Sequence, residues 1–298
     1  MNRSKTLKAN AKINIFLKVC GKYENGYHRL YSLFQEISIC DEITVETDDS
    51  KKFDIELSGS VTEDKTKDLC YKAAKAFWDN AGIDPVYTKI TSVKNTPSQA
   101  GLGGGSSDAA AVLLALQEFF SCPIPKEDLN NIAAKLGADV PFFLYGNSAL
   151  CEGIGEIVRP VPSLSGIPMI LMKPSEGVST GTCFNKVDSE PSLFDEESYR
   201  KEIEDIFFDG DLTAVERLKK SAPVLTNDLQ APAIELVPVI SDLIGVLSDK
   251  GAFISRMSGS GSAVFGIFED EAKRNAAYEE LINDGKYKDI LIIKTSMI

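Results

Sequence analysis

Histidine occurs once, at His28, and none of the six cysteines (Cys20, Cys40, Cys70, Cys122, Cys151, Cys183) stands in a Cys-x-x-Cys pair. Neither a zinc site nor a disulfide framework is expected from so sparse a set, and the cysteines read as buried thiols of a reducing compartment. Basic residues are also short, 32 Lys and Arg against 44 Asp and Glu, for a net charge of -12. Nucleic-acid binding usually needs a basic face, and that balance argues against it. The longest apolar run, Ala109 to Leu116, is too short to span a bilayer. The charged opening Met1 to Lys8 has no apolar stretch behind it, so it does not read as a signal peptide. A cytoplasmic location is the expectation. What remains is ordinary globular material: 298 residues, 43% hydrophobic and 26% charged, with room for roughly two domains.

From Leu7 to Val19 the odd positions are apolar, with Lys8, Asn10, Lys12, Asn14 and Lys18 between them, the period of a strand with one polar face. Asn25-Gly26 signals a tight turn, and 30–39, 43–47 and 53–57 continue as strands of a sheet expected to be antiparallel. Residues 68–81 predict a helix closed by Gly82, 87–93 a strand, 107–120 a helix apolar nearly all round and therefore buried, and 126–136 an amphipathic helix ending at Gly137. A hairpin is predicted around Gly153 and Gly155. Pro160 and Pro162 mark a domain boundary, giving 1–160 and 161–298. The apolar run 168–172 follows, then helices near 197–208, 212–219 and 233–248, strands near 252–257 and 263–268, a helix at 271–283 and a strand at 290–295. The acidic stretch 195–205 reads as a solvated helix face. The mixture is α+β in two domains.

The sharpest feature is Pro97-Ser98-Gln99-Ala100-Gly101-Leu102-Gly103-Gly104-Gly105-Ser106-Ser107-Asp108, between a strand and the buried helix. Its glycines strip Cβ atoms from the turn, so backbone N–H groups can approach an anion closely. A helix starting at Ser106 or Ser107 adds its positive dipole end, and a polyphosphate fits the place. A plain flexible turn is the competing reading. It is not a Walker loop, because Ser106-Ser107 follows Gly105 where Lys-Ser/Thr is required. It is not a protein-kinase or dinucleotide loop either, since the third glycine is missing and no His-Arg-Asp or Asp-Phe-Gly occurs.

This loop resembles that of the superfamily of galactokinase, homoserine kinase, mevalonate kinase and phosphomevalonate kinase. Further segments match: Ala11-Lys12-Ile13-Asn14-Ile15-Phe16-Leu17, Asn25-Gly26-Tyr27-His28, Gly137-Ala138-Asp139-Val140-Pro141-Phe142-Phe143, Asn227-Asp228-Leu229 and Gly259-Ser260-Gly261-Ser262-Ala263. Together they span nearly the whole chain. Within the superfamily the chain is similar to the branch acting on cytidine diphosphate-linked methylerythritol in the non-mevalonate isoprenoid pathway. The resemblance implies a small-molecule kinase fold, with an N-terminal domain like domain 2 of ribosomal protein S5 and a ferredoxin-like C-terminal domain. It implies transfer of the γ-phosphoryl of ATP, accompanied by Mg²⁺, to the 2-hydroxyl of the methylerythritol unit.

The resemblance further makes Lys12 and Asp139 the catalytic pair. Transfer to an alcohol needs an acceptor for the hydroxyl proton, which a carboxylate can be; Asp139 could equally start a helix as its N-cap. Lys12 and Asn14 could likewise simply face water with the rest of their strand face. The likeness places Lys94 and Pro97 near the adenine, Gly101, Leu102, Gly103, Gly104, Gly105, Ser106 and Ser107 on the phosphates, and Asn14, Tyr27, His28 and Phe184 on the acceptor, the aromatic ones around cytosine. Gly259 and Gly261 make either a second close approach to ligand or a simple turn. Two positions depart from the pattern: Asn10 stands where proline is frequent, and Asp68 where asparagine is. No metal ligand is located; Ser107 or Asp108 could help, or phosphates and water alone could hold the ion. Another kinase of the superfamily, of homoserine or mevalonate type, and a nucleotide-binding regulator without turnover stay open.

Overall fold

The computed structural model describes residues 2–60, 62–189 and 194–298. Cα proximity groups the chain into two compact units, each discontinuous in sequence. The first is Met1–Ala11, Ile39–Thr96 and Gly103–Gly146; the second is Lys12–Ser38, Pro97–Leu102 and Asn147–Ile298. The expected sequence boundary at 160/161 falls inside the second unit. Two long strands, β1 (Arg3–Lys22) and β2 (His28–Asp48), contribute to both. Between them the chain turns at Asn25-Gly26, where Gly26 N–H donates to Tyr23 O (2.9 Å) and Tyr23 N–H to Tyr27 O (2.8 Å). The apolar runs 30–39 and 43–47 belong to this one strand. From Ile37 onward every second residue is buried, and Asp41 stands in that inward row, for reasons given below.

In the first unit, β3 (Ile55–Ser58) pairs parallel with β4 (Tyr87–Val93), and β4 pairs antiparallel with Glu42–Asp48 of β2. The sheet is therefore mixed rather than wholly antiparallel. Helix α1 (Leu69–Asn80) begins at Asp68, whose carboxylate accepts from Cys70 N–H (2.8 Å). Asp68 thus does the work of a cap. Helix α2 (Gly104–Phe119) is buried on nearly all sides and packs against α1, while α3 (Lys126–Leu136) and the short α4 (Val140–Tyr145) complete the helical layer.

In the second unit, β5 (Ser148–Gly153) pairs with β2 and turns through Gly153 and Gly155 into β6 (Ile157–Pro160), the expected hairpin. A separate sheet follows, built from β7 (Pro168–Lys173), β8 (Ile254–Met257), β9 (Val264–Ile267) and β10 (Leu291–Ser296). Its order is β10-β7-β9-β8, antiparallel throughout. Among the described residues five helices lie between β7 and β8: α5 (Thr180–Ser189), α6 (Glu196–Phe207), α7 (Ala214–Ser221), α8 (Gln230–Leu236) and α9 (Val239–Asp249). Helix α10 (Glu271–Asn283) precedes β10. This is the strand order of a split β-α-β unit, the expected ferredoxin-like arrangement. Its core gathers Ile170, Met172, Leu243, Leu247, Val264 and Phe268.

Three sequence expectations change here. The helix predicted over 233–248 is two helices bent by 119°, because Pro238 has no N–H and forces Val237 out of the helical region (φ −137°, ψ 81°). Helix α5 was not expected at all. Not every cysteine is a buried thiol either: Cys122 is exposed, and Cys20 and Cys40 are half-buried. Among the described residues no single helix is long and apolar enough to cross a membrane.

Candidate active site

The polar face of β1 does not stay wet along its length. Lys8 is exposed and Asn10 half-buried, but Lys12 and Asn14 are 3% and 1% exposed. The Lys12 ammonium donates to Asn14 Oδ1 (2.6 Å) and lies 4.5 Å from the centre of the Phe34 ring, a cation–π contact. Asn14 donates in turn to Ser32 Oγ (2.9 Å). So the simple water-facing reading of these two residues does not hold.

The same unit ties down the first half of the glycine loop. Lys12 N–H donates to Leu102 O (2.9 Å), Ser258 Oγ to Gly101 O (3.0 Å), Ala263 N–H to Ala100 O (3.3 Å) and Ser262 N–H to Gln99 O (3.4 Å). Asn14 N–H donates to Ser258 Oγ (3.2 Å). Gly101 has φ +73°, and a Cβ there would lie 2.1 Å from Ser258 O. A Cβ on Gly259 would lie 3.1 Å from Asn14 Oδ1 and 3.3 Å from Gly101 O. The glycines of the 259–263 segment therefore let one loop lie against another.

Asn227-Asp228-Leu229 is a second fastener. Asn227 Nδ2 donates to Met257 O (2.9 Å) and Gly259 O (2.8 Å), while its Oδ1 accepts from Leu229 N–H (2.9 Å). Asp228 takes the Lys18 ammonium (2.8 Å) and Val19 N–H (2.9 Å). The segment thus stitches β1 to the end of β8.

In the first unit the loop runs straight into α2, which starts at Gly104 rather than at Ser106 or Ser107. Gly103, in the left-handed region (φ 69°, ψ 16°), turns the chain into the helix. The opening helical bond is Ser107 N–H to Gly103 O (2.9 Å). The amides of Gly104, Gly105 and Ser106 then have no acceptor inside the helix, and they point along the positive end of a 16-residue dipole. This is a helix start chemically suited to an anion. A Cβ on Gly105 would meet only Leu69 Cδ1, at 3.6 Å.

Lys94 is held between two carboxylates, Asp108 Oδ2 (2.5 Å) and Asp41 Oδ2. Asp41 is fully buried and its other oxygen accepts Asn95 N–H (2.6 Å) and Thr96 N–H (2.7 Å), which sets the direction in which the chain leaves β4. Burial works against the Asp41 anion, but the Lys94 bond and the two amides outweigh it and hold the carboxyl below its usual range. Asp108 goes the other way: burial pushes it up to about 7 despite Lys94, helped by the negative charge of Asp41. Its Oδ1 is buried without a hydrogen-bond partner.

Asp139 is half-buried at the N-cap position of α4, with helical backbone angles (φ −85°, ψ −14°). Its side chain makes no capping hydrogen bond. An N-cap carboxylate needs an extended backbone to turn back on the first-turn amides, so the capping alternative is set aside.

Of the aromatic residues, His28 and Phe184 are brought together, stacked at 4.4 Å with 17° between ring planes. Tyr27 is 59% exposed and its ring has no aromatic partner among the described residues. Pro97 is half-buried at the entry to the loop. Reading the sequence missed Asp41, Ser258 and Asp188, the last a hydrogen-bond partner of His28. Asp41 had one available signal, a lone charge in the inward row of an alternating strand. Among the described residues no group of three or more His, Cys, Asp or Glu side chains could hold an ion. The Asp108 oxygen nearest a cation is already on Lys94.

Models of the N-terminal and C-terminal domains of GHMP kinases match residues 68–147 and 200–286. The 4-diphosphocytidyl-2-C-methyl-D-erythritol kinase of Pelobacter propionicus is 36% identical over 282 residues, 94% of this chain and 95% of its own. A protein of the same name from Clostridium botulinum is 36% identical over 288 residues, 97% of this chain and 99% of its own. A crystal structure of 4-(cytidine 5'-diphospho)-2C-methyl-D-erythritol kinase superposes with a TM-score of 0.76 at 32% identity, covering 98% of this chain and 99% of that one. Homoserine kinase from Cytophaga hutchinsonii, at 18% identity and a TM-score of 0.74 over 99% of this chain and 95% of its own, shares the fold. With both domain models matched and relatives aligned from end to end, the chain belongs to the GHMP kinase family.

Proposed function

We propose that this chain phosphorylates the 2-hydroxyl of 4-diphosphocytidyl-2-C-methyl-D-erythritol with ATP, as the names of its end-to-end relatives suggest. The observation that carries the reaction class is the start of α2, where consecutive first-turn amides of Gly104, Gly105 and Ser106 lack helical acceptors. Phosphoryl transfer asks a protein mainly for positioning and charge stabilisation, and such a helix start provides both for a triphosphate.

In this reading Gly101 through Ser107 hold the phosphates, and Lys94 and Pro97 flank the adenine. A magnesium ion bound through the nucleotide's phosphates would supply positive charge to the transferring group. Asp139 takes the proton of the attacking hydroxyl, and Lys12 is its orienter. Burial of Lys12 beside Asn14 supports a fixed ammonium rather than a solvated one. Asn14, Tyr27, His28 and Phe184 receive the cytidyl acceptor, the stacked rings reading the base. A functional division at 160/161, ATP handling and catalysis before it and acceptor binding after it, is part of the same proposal.

The test is ADP release with ATP, Mg²⁺ and each of three acceptors: the cytidyl alcohol, homoserine and mevalonate. Release with the cytidyl alcohol alone is expected. Release with one of the others instead replaces the acceptor, and release with none makes the chain a nucleotide-binding regulator.

A further inference from the structure

Helix α5 carries Phe184 and Asp188, four residues apart and so on one helical face. His28 opens β2 and is fixed by both. Its ring lies on Phe184, and its Nε2 meets Asp188 Oδ1 at 2.7 Å. The second oxygen of Asp188 accepts from the Lys22 ammonium at the end of β1 (2.5 Å). Those two donors, Lys22 foremost, hold the Asp188 carboxyl below its usual range, so it is an anion at neutral pH.

We propose that Asp188, ion-paired with Lys22, is a positioning residue that locks the His28 ring onto Phe184 and thereby sets affinity for the pyrimidine-nucleotide end of the acceptor. This rests on the reading of His28 and Phe184 as the base platform. The chemistry is directional. A carboxylate accepts only, so it holds the proton on Nε2 and assigns the ring its tautomer; Nδ1, which makes no hydrogen bond among the described residues, is the edge left for other work. An imidazole whose edge is pinned cannot flip or swing away when a base arrives, and that loss of freedom is taken before binding.

A purely structural role for Asp188 is disfavoured by exposure. Asp188 is 32% and Lys22 45% exposed, and ion pairs at such sites contribute little to folding. Removing the carboxylate should therefore leave melting nearly unchanged while loosening the ring.

The experiment is calorimetric titration with cytidine diphosphate, without ATP, on wild type, Asp188→Ala and Asp188→Asn, alongside steady-state kinetics and Tm. Asp188→Ala should weaken cytidine diphosphate about tenfold and raise the acceptor KM alike, with kcat and the ATP KM unchanged. Asp188→Asn, whose carbonyl still accepts from Nε2–H, should recover most of the loss. Equal affinity of wild type and Asp188→Ala overturns the inference, as does an Asp188→Asn no better than Asp188→Ala. No binding of cytidine diphosphate to wild type overturns it too. A wild type that binds this nucleotide but phosphorylates nothing leaves the inference standing and sinks the functional proposal alone.

Discussion

Replacing Gly101 by alanine asks the most of the glycine loop. A Cβ at this residue would sit 2.1 Å from Ser258 O, 3.0 Å from Ser258 C and 3.2 Å from Gly261 N, all backbone atoms that no side-chain rotation can clear. The φ of +73° adds about 1 kcal/mol for any residue with a Cβ. Relief requires the two loops to part, which strains the Ser258–Gly101 bond (3.0 Å) and the weaker amide bonds to Ala100 and Gln99. At roughly 1 kcal/mol each, those losses bring the total to about 3–4 kcal/mol. Differential scanning calorimetry should show Tm lowered on the order of 10 °C. Gly105→Ala is the paired control: its methyl meets only Leu69 Cδ1 at 3.6 Å, and alanine gains about 1 kcal/mol over glycine in a helix. That variant should melt at or above the wild type while its ATP KM rises, because in the proposed reading a phosphate approaches where the methyl stands. A Gly101→Ala protein that melts with the wild type would refute the packing argument, and a Gly105→Ala protein with unaltered ATP KM would refute the phosphate assignment.

Asp139→Asn should fold normally, since the carboxylate makes no cap, yet lose about 10²- to 10⁴-fold in kcat. Full turnover in a single-turnover assay removes Asp139 as the base. Lys12→Met should cut turnover with little loss of Tm; an unchanged rate takes Lys12 out of the mechanism. Asp108 sets a pH dependence of stability. Its folded carboxyl is raised from an ordinary 3.8 to about 7, so the folded state binds the proton more tightly. That contribution is complete below about 4 and is lost as pH rises through about 7, with a ceiling of roughly 4 kcal/mol that coupling to Lys94 reduces. Tm measured from pH 5 to 8 should fall less steeply for Asp108→Asn than for the wild type. Parallel profiles would show that Asp108 is not the titrating group.

Local pattern carried the fold a long way. Strand β4 and helices α3 and α10 lie at the ranges expected from the sequence, 87–93, 126–136 and 271–283. Helix α5 escaped notice because Thr180, Gly181 and Thr182 are poor helix formers and only Cys183 and Val187 of it are buried, too few to print a periodic stripe. The early start of α2 escaped for a related reason: glycine reads as loop, although a first-turn glycine beside Thr96 answers a need for space, its Cβ being due at 3.0 Å from Thr96 Cγ2. The inward row of its strand could have flagged Asp41, but its role could not be read, because its partners lie 53 to 55 residues away. The partial burial of β1's polar face was equally hidden, since period two says which residues share a side but not how far along it water reaches.

The Asn227–Asp228–Leu229 fastener bears on how members of this family are told apart. Its side chains are committed to main-chain amides, carbonyls and a lysine of the chain itself. A descendant that abandoned chemistry altogether would still need that stitch to close its fold. Finding these letters in a genome therefore vouches for the scaffold, while catalytic competence has to be judged from positions whose loss the scaffold would survive.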